Sequence, residues 1–462
     1  MKFKMDEIAR ATNGTVIGGR GEHLCVGIGI DSRKANRSEL FVAIKGAHFD
    51  GHDFIPSAIE MGVSSFLVKR GFPAPKGCHV VEVEDTEKAL GDIALWWRSK
   101  FLIPVIAITG SNGKSTTKEM AFSILSTLGD VLKTEGNFNN LIGLPLTVFR
   151  LGGSHVAAIL EMGMNAPGEI ARLADIARPG IGLITNVTAA HLAKLHSVDA
   201  VAHAKGELFE KMGNEGTIIV NNEDPWVRKL AEGHRGPRIT FGMRNNSDVR
   251  FLSMDTDGLD SMELSISVMG KELKLALPVP GTHNLMNAMA AISVGIALGV
   301  DPEEATYRLS NFTPMAMRFE QVQLANGVRV VNDSYNANPE SMRAAFRTVG
   351  SAKRTGKFIA VLGDMLELGS ESESLHEQLG SDAVRLGVDM IYVVGNFSSA
   401  IKAGASEAGM SQSDITVFDD IGKIAGDLED ILKAGDVVLV KGSRGMKMEK
   451  VVESLKHSIG MG

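Results

Sequence analysis

The segment VIAITGSNGKSTT, residues 105–117, decides how the middle of this chain folds. Its first four residues are apolar and have the length of a buried strand, and a glycine-containing turn then leads into a helical pattern that begins near Lys114. In such a turn, backbone N–H groups and the positive end of the helix dipole face an anion, and a lysine adds a point charge. The segment therefore predicts a phosphate site, with the Ser115 hydroxyl available to Mg²⁺.

This loop departs from the usual phosphate-binding pattern, G-x-x-x-x-G-K-[ST], in one respect. The pattern has a glycine six residues before the lysine, where this chain has Ile108. A plain strand-to-helix turn is the alternative, but Gly-Lys-Ser directly after a strand favours the phosphate site.

Outward from the loop, buried-strand candidates alternate with helical stretches. Strands are predicted at residues 156–160, 181–187 and 217–220, and this alternation is typical of a parallel sheet covered by helices on both faces. Between residues 250 and 277, apolar residues recur at every second position, which predicts antiparallel strands added to the same sheet. Residues 86–313 are thus predicted to form a central P-loop ATPase-like domain with a mostly parallel sheet.

Two further α/β domains are predicted, one on each side of the central domain. In residues 1–85, Gly- and Pro-bearing turns separate short apolar runs, which predicts a small domain with strands at 40–44, 65–68 and 80–83. Residues 314–462 are predicted to form a Rossmann-like domain with strands at 328–331, 358–362, 390–394 and 437–441. The expected fold class is α/β with three domains.

Composition excludes several classes of function. The chain has 462 residues, of which 44% are apolar and 22% charged, as in an ordinary globular protein of several domains. A net charge of -7 without a basic segment argues against a nucleic-acid partner. Two cysteines are too few for a disulfide framework, and no apolar run has the ~18 residues of a membrane span. We therefore expect a cytoplasmic protein without a membrane span.

The octapeptide TGSNGKST resembles the ATP-binding loop of the Mur ligases and of their relatives that extend folate with glutamate. Further matches lie at family spacing: Glu161 at a strand end, His191 after Thr-Asn-Val, and Lys205 in the segment AHAKGE. The resemblance implies that the ATP-binding residues are Gly110, Ser111, Asn112, Gly113, Lys114, Ser115 and Thr116.

The same resemblance implies two Mg²⁺ ions. One is expected on Ser115 and Glu161, and the other on His191 and Lys205, with Lys205 carbamylated because an unmodified lysine cannot ligate a metal. Two divalent cations would offset the repulsion between ATP and a carboxylate, and oxygen ligands suit Mg²⁺. Without the resemblance, a lone Glu or His at a strand end is more often a cap or a satisfied polar group.

The resemblance extends to residues around the nucleotide. Asn284 and Asn287 are expected to reach the adenine, Asp333 the ribose, and Arg318 the γ-phosphate. Met317 stands where the family commonly has a glycine before this arginine. The residues expected to take part in catalysis are Lys114, Glu161, His191, Lys205 and Arg318. Alternatives remain: helix capping by Thr282 or Asn284, an exposed surface position for the arginine, and a loop held by Asn and Asp side chains at residues 332–339.

Other segments resemble the parts of the family that bind the remaining substrates. IDSRK at residues 30–34 and LFVAIKG at residues 40–46 resemble a uridine-nucleotide-binding domain. The substrate-binding residues implied are Ser32, Arg33, Lys45, Gly46, Tyr335 and Asn336. NDSYNANP at 332–339, LGDMLELG at 362–369 and KGSR at 441–444 resemble the family member that uses a dipeptide.

The implied activity is ATP-dependent joining of D-alanyl-D-alanine to UDP-N-acetylmuramoyl-tripeptide through an acyl phosphate, which gives the pentapeptide precursor of peptidoglycan. A monomer is expected. One alternative is the ligase that adds a single diamino acid, although its Asn-Pro-Arg signature is replaced here by Asn338-Pro339-Glu340. The other is a P-loop protein that uses ATP to switch a binding surface.

Overall fold

The computed structural model describes residues 1–46, 48–189, 195, 197–255 and 259–462. Its strands form an N-terminal sheet with a two-stranded ribbon beside it, a central sheet and a C-terminal sheet. Helices connect most parallel strands, as the α/β class predicts.

The N-terminal sheet contains the three strands predicted there. The strands of this region are β1 (Lys2–Lys4), β2 (Thr15–Gly18), β3 (Leu24–Val26), β4 (Ile28–Gly29), β5 (Leu40–Val42), β6 (Ser65–Lys69) and β7 (His79–Val83), and its helices are α1 (Met5–Thr12), α2 (Ile55–Glu60) and α3 (Thr86–Arg98). The sheet order is β2-β7-β6-β5-β4, and β1 pairs with β3. Asp85 begins α3 by accepting hydrogen bonds from two backbone N–H groups of the first turn.

The central sheet has the order β16-β15-β14-β13-β12-β11-β8-β10-β9. Its strands are β8 (Val105–Thr109), β9 (Asp130–Lys133), β10 (His155–Glu161), β11 (Ile181–Ile184), β12 (Thr217–Asn221), β13 (Arg238–Gly242), β14 (Val249–Asp255), β15 (Met262–Val268) and β16 (Lys271–Leu277). Strands β8 to β14 pair in parallel, and β15 and β16 extend the sheet antiparallel. Both predictions for this region are confirmed.

Helices cover both faces of the central sheet. They are α4 (Lys114–Leu125), α5 (Gly143–Val148), α6 (Glu169–Ala177), α7 (Val198–Met212), α8 (Pro225–Ala231), α9 (Thr282–Ala297) and α10 (Pro302–Ser310). Successive side chains of a strand point to opposite faces. Accordingly, Ile106 and Ile108 of β8 pack with α4 and α9, whereas Val105 and Ala107 pack with the core that contains α6 and α7.

Strand β11 ends at Ile184, three residues earlier than predicted. Beyond Ile184 the backbone pairs with the end of β8 and the loop after it, since Thr185 N donates to the carbonyl of Thr109 and Ser111 N donates to the carbonyl of Asn186. The side chains of Thr185 and Asn186 donate hydrogen bonds to the backbone carbonyl of Asn112 in the same loop. Thr185 and Asn186, at the polar end of this apolar run, therefore stabilise the loop after β8.

The C-terminal sheet has the order β17-β18-β22-β19-β20-β21. Its strands are β17 (Glu320–Gln323), β18 (Arg329–Asn332), β19 (Phe358–Gly363), β20 (Met390–Val394), β21 (Ile415–Phe418) and β22 (Val437–Lys441), and its helices are α11 (Pro339–Ser351), α12 (Ser372–Arg385), α13 (Ser398–Glu407), α14 (Ile424–Ile431) and α15 (Glu449–Ile459). The four predicted strands are confirmed. The two missed strands, β17 and β21, lie at the edges, where one side of the strand stays unpaired, and each has only four residues.

We propose domain limits of 1–85, 86–313 and 314–462. Helix α3 joins the first two units because it contributes to both cores: Leu90 and Ile93 pack against the N-terminal sheet, while Ala94 packs against the central one. None of the helices in the described ranges is both long and apolar enough to span a bilayer.

Arg98 fixes the end of α3 against the central domain. It is buried, and its guanidinium donates to the backbone carbonyls of Ala177, Phe101 and Ile103. We expect Arg98→Met to lower the free energy of unfolding by about 3 kcal/mol, because one buried and two partly buried carbonyls lose a charged donor. Urea denaturation measures the change. Arg70→Met is the control, since Arg70 forms an exposed ion pair with Glu84 and should cost under about 1 kcal/mol. Equal losses in the two variants would contradict the role of Arg98.

Candidate active site in the cleft between the central and C-terminal sheets

A cleft of about 1540 Å³ lies between the central and C-terminal parts of the chain. It is lined by the loop after β8, the ends of β10 and β11, the start of α9, and C-terminal segments around residues 318, 335 and 443. Parallel strands of the central sheet end here at their carboxyl edge, the usual place for a ligand in an α/β sheet.

The loop after β8 depends on two glycines. Gly110 and Gly113 have φ of 144° and 80°, values that L side chains rarely adopt. A Cβ at Gly113 would lie 2.2 Å from Asn287 Oδ1, and one at Gly110 would lie 1.9 Å from Thr185 Oγ1. The loop can therefore lie directly against α9 and the end of β11 only with glycine at both positions.

Lys114 begins α4, as the sequence predicted. Its Nζ donates to the carbonyl of Gly110 at 2.7 Å, so the ammonium lies over the loop. Burial lowers the pKa of Lys114 from its ordinary value; Glu161 opposes this shift and Arg318 adds to it. Two further predicted site residues therefore lie within electrostatic range of Lys114.

Glu161, Ser115 and Arg318 form one cluster. The Ser115 hydroxyl donates to Glu161 Oε2 at 2.8 Å, and Arg318 Nη2 donates to Ser115 Oγ at 2.9 Å. Asn139 Nδ2 donates to Glu161 Oε1 at 2.9 Å. The structure thus joins residues that are more than 200 positions apart in the sequence.

This cluster fits Mg²⁺. Its oxygens come from a hydroxyl and a carboxylate, which Mg²⁺ prefers, and the ion typically takes one or two carboxylates together with phosphate oxygens and waters. Within the described residues no group of three His, Cys, Asp or Glu side chains could hold a metal alone. Phosphate oxygens would have to complete the coordination.

Lys118 and Asn139 are site residues that the sequence analysis missed. Lys118 is 2% exposed, and its Nζ lies 3.9 Å from Glu161 Oε2, 3.2 Å from Glu119 Oε1 and 2.6 Å from the carbonyl of Thr134. A lysine four positions after Lys114 lies on the same face of the helix, and that spacing was the available signal. Asn139 could not be predicted from the sequence, because its loop comes close to Glu161 only in the folded chain.

Lys205 is buried on α7, with 2% of its surface exposed. Burial lowers the pKa of Lys205 well below its ordinary value, and the charge of Lys114 lowers it further. No described residue forms a hydrogen bond with its amine. His191, the other expected ligand of the second ion, lies outside the described residues.

The two asparagines expected at the adenine lie at the start of α9 and line the cleft. Asn284 Nδ2 donates to the carbonyl of Pro280 at 2.8 Å, and Asn287 Nδ2 donates to Asn284 Oδ1 at 3.3 Å. Asn287 Oδ1 also accepts from Thr117 on α4. The pair therefore links α9 to the helix that follows the loop, and the adenine contact stays a prediction.

The C-terminal side of the cleft is ordered by ion pairs and strained backbone. Met317 has φ of 58°, so it adopts the left-handed conformation that a glycine adopts easily, at the position where the family commonly has glycine. The Arg318 guanidinium lies 4.0 Å from the centre of the Tyr335 ring. Buried Lys441 pairs with Asp333 and donates to the carbonyl of Asn336 at 3.0 Å. These residues lie together, as expected for one site.

The N-terminal residues Ser32, Arg33, Lys45 and Gly46 lie outside this cleft. Arg33 donates to both carboxylate oxygens of Asp31 at 2.9 Å, and this pair lowers the pKa of Asp31 to about 2. A phosphate at Arg33 would compete with Asp31 for the guanidinium. The contact of these four N-terminal residues with a nucleotide sugar stays a prediction.

Comparison with known proteins gives consistent matches along the chain. The model "Mur ligase family, catalytic domain" matches residues 25–97, "Mur ligase middle domain" matches 108–295, and "Mur ligase, glutamate ligase domain" matches 317–444. The UDP-N-acetylmuramoyl-tripeptide--D-alanyl-D-alanine ligases of Bacillus subtilis (strain 168) and Escherichia coli (strain K12) are similar relatives. The first is 35% identical over 99% of both chains, and the second 36% over 93% of both.

Solved structures are similar over the same length. A crystal structure of MurF from Acinetobacter baumannii has a TM-score of 0.91 and 31% identity, with 99% of each chain covered. MurF ligase from Thermotoga maritima in complex with ADP has a TM-score of 0.84 and 29% identity, with 94% of this chain and 97% of that chain covered.

Lys118 is expected to compensate the buried charge of Glu161. Lys118→Met should lower the free energy of unfolding by about 3 kcal/mol, because it leaves a buried carboxylate without its nearest cation. Adding Glu161→Gln should restore part of this loss, since the uncompensated charge is then gone. The control is Lys133→Met, which removes a more exposed partner of Glu119. Urea denaturation of the nucleotide-free protein provides the measurement, and a double variant no more stable than Lys118→Met would refute the charge argument.

Proposed function

The chain belongs to the Mur ligase family, and from this we propose that it joins D-alanyl-D-alanine to UDP-N-acetylmuramoyl-tripeptide in an ATP-dependent reaction. The terminal carboxylate of the tripeptide attacks the γ-phosphorus of ATP, which releases ADP and forms an acyl phosphate. The dipeptide amine then attacks the acyl carbon, and phosphate leaves as the amide bond forms and the amine loses a proton. The product is the pentapeptide precursor of peptidoglycan.

The cluster of Lys114, Ser115, Glu161 and Arg318 carries this proposal. Phosphoryl transfer needs little covalent chemistry from a protein, but it needs positioned cations around the transferred group. Lys114 over the loop and Arg318 from the C-terminal part supply positive charge from two sides. We assign both to the stabilisation of charge at the γ-phosphate.

Ser115 and Glu161 would hold the first Mg²⁺. Such an ion, when bound, offsets the repulsion between ATP and the incoming carboxylate. His191 and a carbamylated Lys205 would hold a second one. Burial lowers the pKa of Lys205 well below its ordinary value, and this supports the carbamate because only the neutral amine attacks CO₂.

The remaining assignments complete the substrate sites. Asn284 and Asn287 face the adenine, and Asp333 binds the ribose from a position fixed by Lys441. Tyr335 and Asn336 lie beside the nucleotide. Ser32, Arg33, Lys45 and Gly46 bind the nucleotide-sugar end of the peptide substrate. The enzyme works as a monomer in this proposal, since one chain supplies both sides of the cleft.

The proposed function is tested by measuring ADP and phosphate release. Both should appear only when UDP-N-acetylmuramoyl-tripeptide and D-alanyl-D-alanine are present together, with the pentapeptide product identified by mass. Lys114→Ala should lose nearly all turnover at an unchanged melting temperature, because its half-buried ammonium adds little to packing. ATP hydrolysis that is independent of the two substrates would instead indicate a nucleotide-driven switch.

Lys205→Ala should lose more than about 99% of turnover, and short carboxylic acids should restore part of it by replacing the carbamate oxygens. Lys211→Ala on the same helix is the control, since Lys211 is an exposed partner of Asp175. It should keep its turnover and show no response to the acids. In addition, ¹³C-bicarbonate should give a carbamate resonance that is missing from Lys205→Ala. Identical spectra from the two proteins would rule out a carbamate at this lysine.

A further inference from the structure

Two neighbouring loops of the C-terminal sheet line part of the cleft. The loop after β19 and the loop after β22 are joined by hydrogen bonds from Ser443 N to the carbonyl of Asp364 at 3.0 Å and from Leu366 N to Ser443 Oγ at 2.8 Å. A Cβ at Gly445 would lie 3.0 Å from Leu366 Cδ1, so the loops are in close contact. Leu366, Ser443, Arg444 and Gly445 all line the cleft.

The loop after β19 is fixed by hydrogen bonds with residues that do not line the cleft. The buried carboxylate of Asp364 accepts hydrogen bonds from Asn396 N at 2.7 Å and from Phe397 N at 3.1 Å. His376 Nε2 accepts from Met365 N at 2.9 Å. The carboxylate of Asp364 is thereby used for hydrogen bonds within the protein. These bonds preorganise the surface that the loop presents to the cleft.

Arg444 supplies a positive charge to the surface formed by the loops after β19 and β22. Its Nη1 donates to Glu449 Oε1 at 2.8 Å and lies 3.5 Å from Met317 Sδ, while 53% of the side chain is exposed. Within the described part of the chain, its Nε and Nη2 have no hydrogen-bond partner. Met317 immediately precedes Arg318, whose guanidinium reaches Ser115. Arg444 thus contacts the residue that immediately precedes Arg318 in the chain.

We propose that Arg444 binds the terminal carboxylate of the dipeptide acceptor, which rests on the proposed function. A dipeptide spans at most about 7 Å, so an amine held at the acyl phosphate leaves its carboxylate close by. The free edge of a guanidinium binds a carboxylate through two parallel hydrogen bonds, and Glu449 fixes the orientation of that edge. Leu366 provides an apolar contact for a methyl side chain. Arg444 therefore selects acceptors that end in a free carboxylate.

The test compares D-alanyl-D-alanine with D-alanyl-D-alaninamide, which has the same shape but no negative charge. The unsubstituted enzyme should have a KM at least about tenfold higher for the amide, because it loses a charged pair. Arg444→Met should raise the KM for the dipeptide to that of the amide and leave the KM for ATP unchanged. Arg444→Lys should keep part of the preference, since it retains the charge without the paired donors.

Arg70→Met serves as the matched control, because Arg70 is also 53% exposed and paired with a glutamate, outside the cleft. It should keep the full preference for the dipeptide. If Arg444→Met still prefers the dipeptide as strongly as the unsubstituted enzyme does, Arg444 is not the anchor. If the unsubstituted enzyme ligates neither acceptor while it still binds ATP, the proposed function fails, and this assignment fails with it.

Discussion

Arg318 Nη2 donates to Ser115 Oγ across the cleft, and this hydrogen bond joins the C-terminal part of the chain to the phosphate loop. The backbone around it is strained, since Met317 and Phe319 have φ of 58° and 57°. Left-handed backbone costs roughly 1–2 kcal/mol for each such residue. Three hydrogen bonds hold the segment in place: Met317 N to Glu320 Oε2, Phe319 N to Asp333 Oδ1, and Tyr335 N to the carbonyl of Met317. Strain held by surrounding contacts is common where a side chain must be aimed.

The second constraint is the buried negative charge of Glu161. A carboxylate that binds a cation inside a protein needs compensation when the cation is absent, since an unpaired buried charge costs several kcal/mol. Ser115 and Asn139 supply hydrogen bonds, and Lys118 supplies the charge at 3.9 Å. Lys118 also holds the carbonyl of Thr134, whose hydroxyl accepts from Glu161 N. The helix after the loop and the ends of β9 and β10 are therefore fixed by one network.

Much of this arrangement could be predicted from the sequence, because it is local. The strand, turn and helix of residues 105–125 follow from apolar periodicity and glycine placement, and so do most interior strands of the sheets. The interior strand β13 and the edge strands β9, β17 and β21 escaped because each has only four or five residues, too few for a clear pattern. Lys118 and Asn139 escaped for another reason: their partner, Glu161, is 43 and 22 residues away, and only the sheet order brings them together. Met317 suggested a departure from the family, yet its backbone has φ of 58°, a conformation that glycine adopts easily.

The loop after β22 contributes residues to both proposed parts of the cleft, the nucleotide side and the acceptor side. It begins at Lys441, which holds Asp333 and the carbonyl of Asn336 on the proposed nucleotide side. Three residues later, Arg444 contacts Met317 on the side assigned to the acceptor. Ser443 between them is bonded to the loop after β19. Because tightly packed groups transmit strain, the residues proposed to fix the nucleotide would also set the position of the proposed acceptor site. A single C-terminal sheet can thus align both reactants with the phosphate loop of the central domain.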